Sequence, residues 1–299
     1  MRVETIFFDK QGRLRSGWRF AIFVFGFLFV AVFLTAFVTV GFTAAGGIPG
    51  SPTFLAVFNA AILAAALLIG WLCNRYLEKL PFNALGASPT PGWLSRFATG
   101  VVAGAVTLGL AVTIGIAFNG FSFTLNDIGW AAIGRTFFLS LGIFAISAAS
   151  EEAVSRGYPM QTFFRSNLKV FGIFFMAALF ASGHLGNPNA SAFAWLNTFL
   201  AGVWFGVAYW KTGDLWFPFG MHLAWNWMQG AFFGIEVSGL TEITASPLLK
   251  EIDRGPAWLT GENYGIEGGI ICTGALIAST IVIYLWPPLA HRDISDNCA

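Results

Sequence analysis

Six polar residues stand where a membrane-crossing chain tolerates few: Glu151, Glu152, Arg156, His184, His222 and Asn226 each lie in or beside a long apolar stretch. A charged side chain at the middle of a bilayer-spanning helix costs roughly 2.5–3.5 kcal/mol on the most lenient scales, so such groups are kept where they are used. Their spacing suggests roles. Glu152 and Arg156 are four residues apart on one helix face, with the acid N-terminal to the base, the favourable direction for an ion pair. Glu151 is turned by about 100° from Glu152 on a helix, which leaves it free to face a cavity. His222 and Asn226 share a face at the same spacing, as do Phe180 and His184, so a phenyl ring can support one imidazole. A free carboxylate beside a histidine in a desolvated pocket forms a water-activating pair. A second histidine beside a carboxamide can donate hydrogen bonds to a carbonyl oxygen as negative charge develops on it. Together these parts describe attack of water on an amide or ester. No cysteine lies near these motifs and no serine has a recognisable nucleophile context, so nothing indicates a covalent Ser–His–Asp or Cys–His route.

The rest of the chain must hold these groups inside a membrane. Of its 299 residues 56% are hydrophobic and 10% charged, against about 25% charged in a soluble domain. A formal net charge of +1 gives no reason to expect nucleic acid or an acidic substrate. Cys73, Cys272 and Cys298 have no metal or redox spacing, and the last is next to the end rather than fourth from it, which excludes a prenylation box. The first apolar run is too long for a signal-peptide core and reads as a retained anchor.

A crossing needs about 20 apolar residues. Candidate spans cover 20–42, 54–73, 97–118, 137–164, 169–187, 191–210, 214–235 and 268–288. The expected fold class is an all-α polytopic bundle of about eight helices. Arg2, Lys10, Arg13, Arg15, Arg19, Arg75, Lys79, Arg96, Arg165, Lys169, Lys211 and Arg292 fall on one side of such a bundle, and only Arg135, Lys250 and Arg254 on the other. Positive charge marks the cytoplasmic side, so both termini are expected inside. The long loop 236–267, with Glu236, Glu242, Glu251, Asp253, Glu262 and Glu267, then lies outside. The organisation expected is N-terminal helices over 1–130, a functional core over 131–235, and an acidic loop with a last helix over 236–299. Gly100/Gly104 and Gly202/Gly206 have the spacing of close helix contacts. Pro159 should break the fourth span near 155–158 and open the site towards the cytoplasm. Counted from the helix ends, Glu151, His184, His222 and Asn226 fall in one layer of the membrane.

Glu151-Glu152-Ala-Val-Ser-Arg156, Phe180-Ala-Ser-Gly-His184 and His222-Leu-Ala-Trp-Asn226 resemble, in order, the three motifs of the CPBP (Abi, CAAX prenyl endopeptidase-like) intramembrane proteases. The stretch 206–226, with its Thr-Gly turn and Leu-Trp-x-Pro helix start, is similar to the family's third block. Ser155 departs from the aromatic residue often found before the arginine. The resemblance implies a membrane endopeptidase with Glu151 as general base aided by His184, and with His222 and Asn226 binding the oxyanion. It implies a membrane-associated protein or peptide as substrate, lipidated in a CAAX-like manner in part of the family, and a bacterial cytoplasmic membrane as the location. Glu151, His184 and His222 could alternatively hold a catalytic zinc, although they are spread over three helices without a compact His-Glu-x-x-His arrangement. No other cofactor is indicated. Plainer readings stand beside these. Glu152–Arg156 can be a purely structural pair, Asn226 can stitch helices, and His291 reads as an idle tail residue. The whole chain could be a non-catalytic member of the same fold, such as a bacteriocin self-immunity factor or scaffold, or a transporter.

Overall fold

In lipid every backbone polar group must be satisfied within the segment, which a helix achieves. The computed structural model describes residues 4–10, 12–241 and 243–286; Arg2, Glu242, His291, Arg292 and Cys298 lie outside them. The elements in order are α1 (Glu4–Phe7), α2 (Ser16–Ala44), α3 (Pro52–Cys73), α4 (Trp93–Ala117), β1 (Phe121–Leu125), α5 (Trp130–Ser155), α6 (Tyr158–Phe164), α7 (Lys169–Gly183), α8 (Ala192–Thr212), α9 (Trp216–Trp227), β2 (Leu249–Asp253), α10 (Ala257–Thr260) and α11 (Ile270–Leu285). Among the described residues, five segments are long and apolar enough to cross a membrane: Ser16–Ala44, Pro52–Glu78, Trp93–Ala117, Trp130–Phe164 and Ala192–Thr212. The protein is thus a polytopic helical membrane protein.

Three expected spans are shorter than the sequence suggested. Helix α7 stops at Gly183, α11 covers 16 residues, and α9 covers 12 before a π-helical turn at Met228–Phe232. Apolar composition continues past these ends, so hydropathy alone overruns them. The all-α bundle also carries one short two-stranded antiparallel ribbon outside its helices, with Phe121 opposite Asp253 and Leu125 opposite Leu249. It ties the acidic loop to the end of α4.

Ends expected on one side of the membrane do meet. Arg19 at the start of α2 and Arg165 just past α6 both bond Glu78, and Arg96 of α4 bonds Asp214 ahead of α9. Lys211 Nζ, near the end of α8, donates to the Tyr284 carbonyl near the end of α11 at 3.0 Å. The ribbon lies on the other side of the bundle from these contacts.

The glycine pairs do mark close packing. A Cβ at Gly100 or Gly104 would lie 2.2 or 2.3 Å from the carbonyl oxygens of Phe217 and Met221 on α9. One at Gly202 would lie 2.8 Å from Ala177 Cα on α7. Backbones can approach this way only where side chains are missing. These contacts seat α9 on α4 and α8 on α7, and so fix the helices that carry or precede both histidines.

The fourth span breaks where Pro159 predicts. Helix α5 ends at Ser155, and the proline falls in the first turn of α6, where its missing N–H has no partner to lose. The break does not open the site on the basic side. All seven residues of α6 are buried, and Gln161 Nε2 donates to the Leu85 carbonyl at 2.8 Å. Apolar α6, capped by polar bonds, closes that side.

Candidate active site

Glu151 and Glu152 sit in the last turns of α5, and the 100° between them separates their environments. The Glu151 side chain is 31% exposed and lines a cavity; that of Glu152 is 1% exposed. His184 caps α7 rather than lying inside it, because the helix ends at Gly183. His222 and Asn226 lie on α9.

These elements bring the acid and both imidazoles together. Glu151 Oε2 is 3.8 Å from His184 Nε2 and 3.7 Å from His222 Nε2. The contacts lie just beyond direct hydrogen bonding, and Glu151 Oε2 is buried without a partner. Ser147, one turn earlier, donates to Glu151 Oε1 at 3.3 Å. His184 Nδ1 is 2.8 Å from the Phe180 carbonyl, which only accepts. Nδ1 therefore carries a proton, and Nε2 is the ring nitrogen that faces Glu151. The Phe180 ring rests against that imidazole at 4.7 Å between centroids. Asn226 lines the same cavity, and its side chain has no hydrogen-bond partner among the described residues.

Glu152 does more than pair with Arg156. Its Oε1 accepts from Arg156 Nη1 at 3.0 Å and from His222 Nδ1 at 2.9 Å. Arg156 Nη2 also donates to the Gly202 carbonyl at 3.2 Å, and its guanidinium lies 4.5 Å from the Phe180 ring centre and 5.0 Å from that of Phe205. Phe205 stacks on His222 at 4.7 Å. Gly202 and Phe205 belong to α8; Phe205 escaped the sequence reading and Gly202 was marked only for helix packing, since nothing local links them to a residue on α5 or α9. Ser147 was within reach: it lies four residues before Glu151, on the same face.

The cavity encloses about 640 Å³ and is lined mainly by apolar side chains, among them Phe27, Leu28, Leu179 and Phe180. The three donors do not have the spacing of a zinc centre. Tetrahedral ligands at about 2.0–2.1 Å from zinc lie about 3.3 Å from each other. Glu151 stands wider from each imidazole, and no group of three His, Cys, Asp or Glu residues suited to a metal occurs among the described residues.

An acid flanked by two imidazoles, sunk in a helical membrane bundle, defines a class of site suited to hydrolysis. The family model of type II CAAX prenyl endopeptidase Rce1-like proteins matches residues 133–228, from α5 to the end of α9. That segment contains all six polar residues, and the match bears out the likeness to CAAX-protease-type membrane proteins. No curated protein and no solved structure matches the chain.

Proposed function

We propose that this protein is an intramembrane endopeptidase that hydrolyses a peptide bond of a membrane-associated polypeptide by activated water. The observation that carries the reading is the convergence of His184 Nε2 and His222 Nε2 on the unpartnered Glu151 Oε2, at 3.8 and 3.7 Å inside one cavity. Water held between Glu151 and His184 Nε2 gives a proton to Glu151 as its oxygen bonds to the carbonyl carbon. The carbonyl electron pair moves onto oxygen, where Asn226 Nδ2 and His222 donate. His222 Nδ1–H is already given to Glu152, so donation from Nε2 requires the imidazolium. Collapse of the intermediate breaks the C–N bond, and Glu151 passes its proton to the leaving amine. The family match over residues 133–228 supports the same reading.

The test compares membrane-protein fragments, by mass spectrometry, from cells making wild-type or Glu151→Gln protein at equal levels, with and without a chelator. Fragments that depend on Glu151 are expected. Identical fragment sets would remove Glu151 as the base, and a flux of solute that needs Glu151 without any peptide product would identify a transporter.

A further inference from the structure

The cavity that holds Glu151 is shut on one side of the bundle and bordered by loops on the other. On the shut side α6 is buried throughout, and Arg165 Nη2 donates to the Ala84 carbonyl at 3.1 Å. Glu78 then joins Arg19 to Arg165, so a charged layer lies beneath the helix. On the other side the cavity is lined by Asn187, Val237, Ser238, Leu240 and Glu267, all outside the spanning helices. Glu267 organises this border: its carboxylate accepts from Trp225 Nε1 at 3.1 Å and from the Ser238 backbone and hydroxyl at 2.7 Å. Laterally, the lining residues Leu28 of α2 and Leu179 of α7 are 50% and 44% exposed, so the cavity reaches the lipid-facing flank between those helices.

Charge assigns the two sides. Arg75, Lys79, Arg96, Arg165, Lys169 and Lys211 all lie at the shut end, which the positive-inside rule makes cytoplasmic. The loops that border the cavity are then extracytoplasmic. One wall is apolar, from Phe27, Leu28 and Leu179; the other carries Asn226, Ser238 and Glu267. A polypeptide with an apolar anchor and a polar, extended segment at the outer surface matches both walls.

We propose that the substrate reaches Glu151 from the extracytoplasmic face, its apolar anchor resting between α2 and α7. The substrates are thus membrane-anchored polypeptides whose scissile bond lies on the outer half of the bilayer. The substrate part rests on the endopeptidase reading; the direction of access does not.

Access is read by a membrane-impermeant maleimide on single cysteines placed in a Cys73→Ala/Cys272→Ala/Cys298→Ala background. Gly183→Cys sits at the cavity rim, where an added Cβ meets nothing within 4 Å. Leu240→Cys is a second reporter on the loop border, and exposed Asn83→Cys reports the shut side. Gly183→Cys and Leu240→Cys should label at least tenfold faster in intact cells than in inside-out vesicles, with Asn83→Cys reversed. Labelling of the cavity cysteines from the inner face, from both faces alike or from neither would overturn the proposed access, as would Asn83→Cys labelling from outside. Glu151-dependent cuts are expected in extracytoplasmic or outer-leaflet segments. Cuts in cytoplasmic segments would overturn the substrate class while leaving proteolysis standing. Outside labelling without any Glu151-dependent fragment would leave the access route and remove the endopeptidase reading together with its substrate.

Discussion

Glu152 Oε1 binds two cationic or proton-bearing partners at once, Arg156 and the imidazole of His222, and all three side chains are buried. Removing one partner of a buried pair leaves the other uncompensated, at a cost of about 3–5 kcal/mol. Glu152→Ala should lose that much stability in reversible unfolding from mixed micelles, and its activity should fall even where folding is restored by lower temperature. Phe180 makes a different kind of contribution. His184 is held through the Phe180 backbone carbonyl, which Phe180→Leu retains, so that variant should lose about tenfold or less in turnover. His184→Ala should lose about 10²- to 10⁴-fold, the usual range for a proton-transfer partner. Initial rates on one peptide compare the two. The acids, the arginine and both histidines were legible in the sequence because ionisable groups stand out in apolar runs. The bond from Glu152 to His222 was not legible, because it joins residues on separate helices and no local spacing records it.

Helices α4 and α9 meet over glycine, and that contact positions His222. A Cβ at Gly104 has nowhere to go, since the obstacle is the backbone of Met221 rather than a flexible side chain. Gly104→Ala should cost about 1–3 kcal/mol, as other overpacked contacts do, and should lower turnover by displacing α9. Gly109, on the same helix, faces open space, and Gly109→Ala should be neutral or stabilising by up to about 1 kcal/mol. Thermal unfolding of the two variants separates packing from propensity. Element boundaries show where sequence reasoning stops. Pro159 announced the break after α5, and the glycine spacings announced close contacts. That α6 would turn inward and seal the basic side was not announced, because a short apolar helix looks alike whether it faces lipid or protein. The ends of α7 and α9 were overrun for a related reason: Leu185 and Phe232 are as apolar as the helix residues before them.

Taken as a whole, the molecule is a sealed basic side, a membrane-embedded cavity and an acidic loop region braced by the β1–β2 ribbon. Within that loop, burial together with the neighbouring Glu236 and Asp253 pushes the Glu251 carboxyl up to about 8. A carboxyl raised in the fold above its unfolded value binds its proton more tightly when folded. Its contribution is therefore complete below about pH 4.5, the unfolded range, and is lost as pH rises through about 8. The melting temperature should fall between pH 5 and pH 9, and Glu251→Gln should flatten that fall; equal slopes would mean that Glu251 is not responsible. The bundle class and the expected sidedness were legible from hydropathy and basic residues, whereas the ribbon was not, since neither strand forms a striking apolar alternation by itself. The claim on which the enzyme reading rests is that Glu151 and His184 act on one water. Turnover of purified, reconstituted wild-type protein, Glu151→Gln, His184→Ala and the double variant tests it most directly. Residues acting as one unit give non-additive losses. The double variant should be no slower than Glu151→Gln alone, whereas multiplied losses, or full activity in Glu151→Gln, would contradict a shared catalytic water.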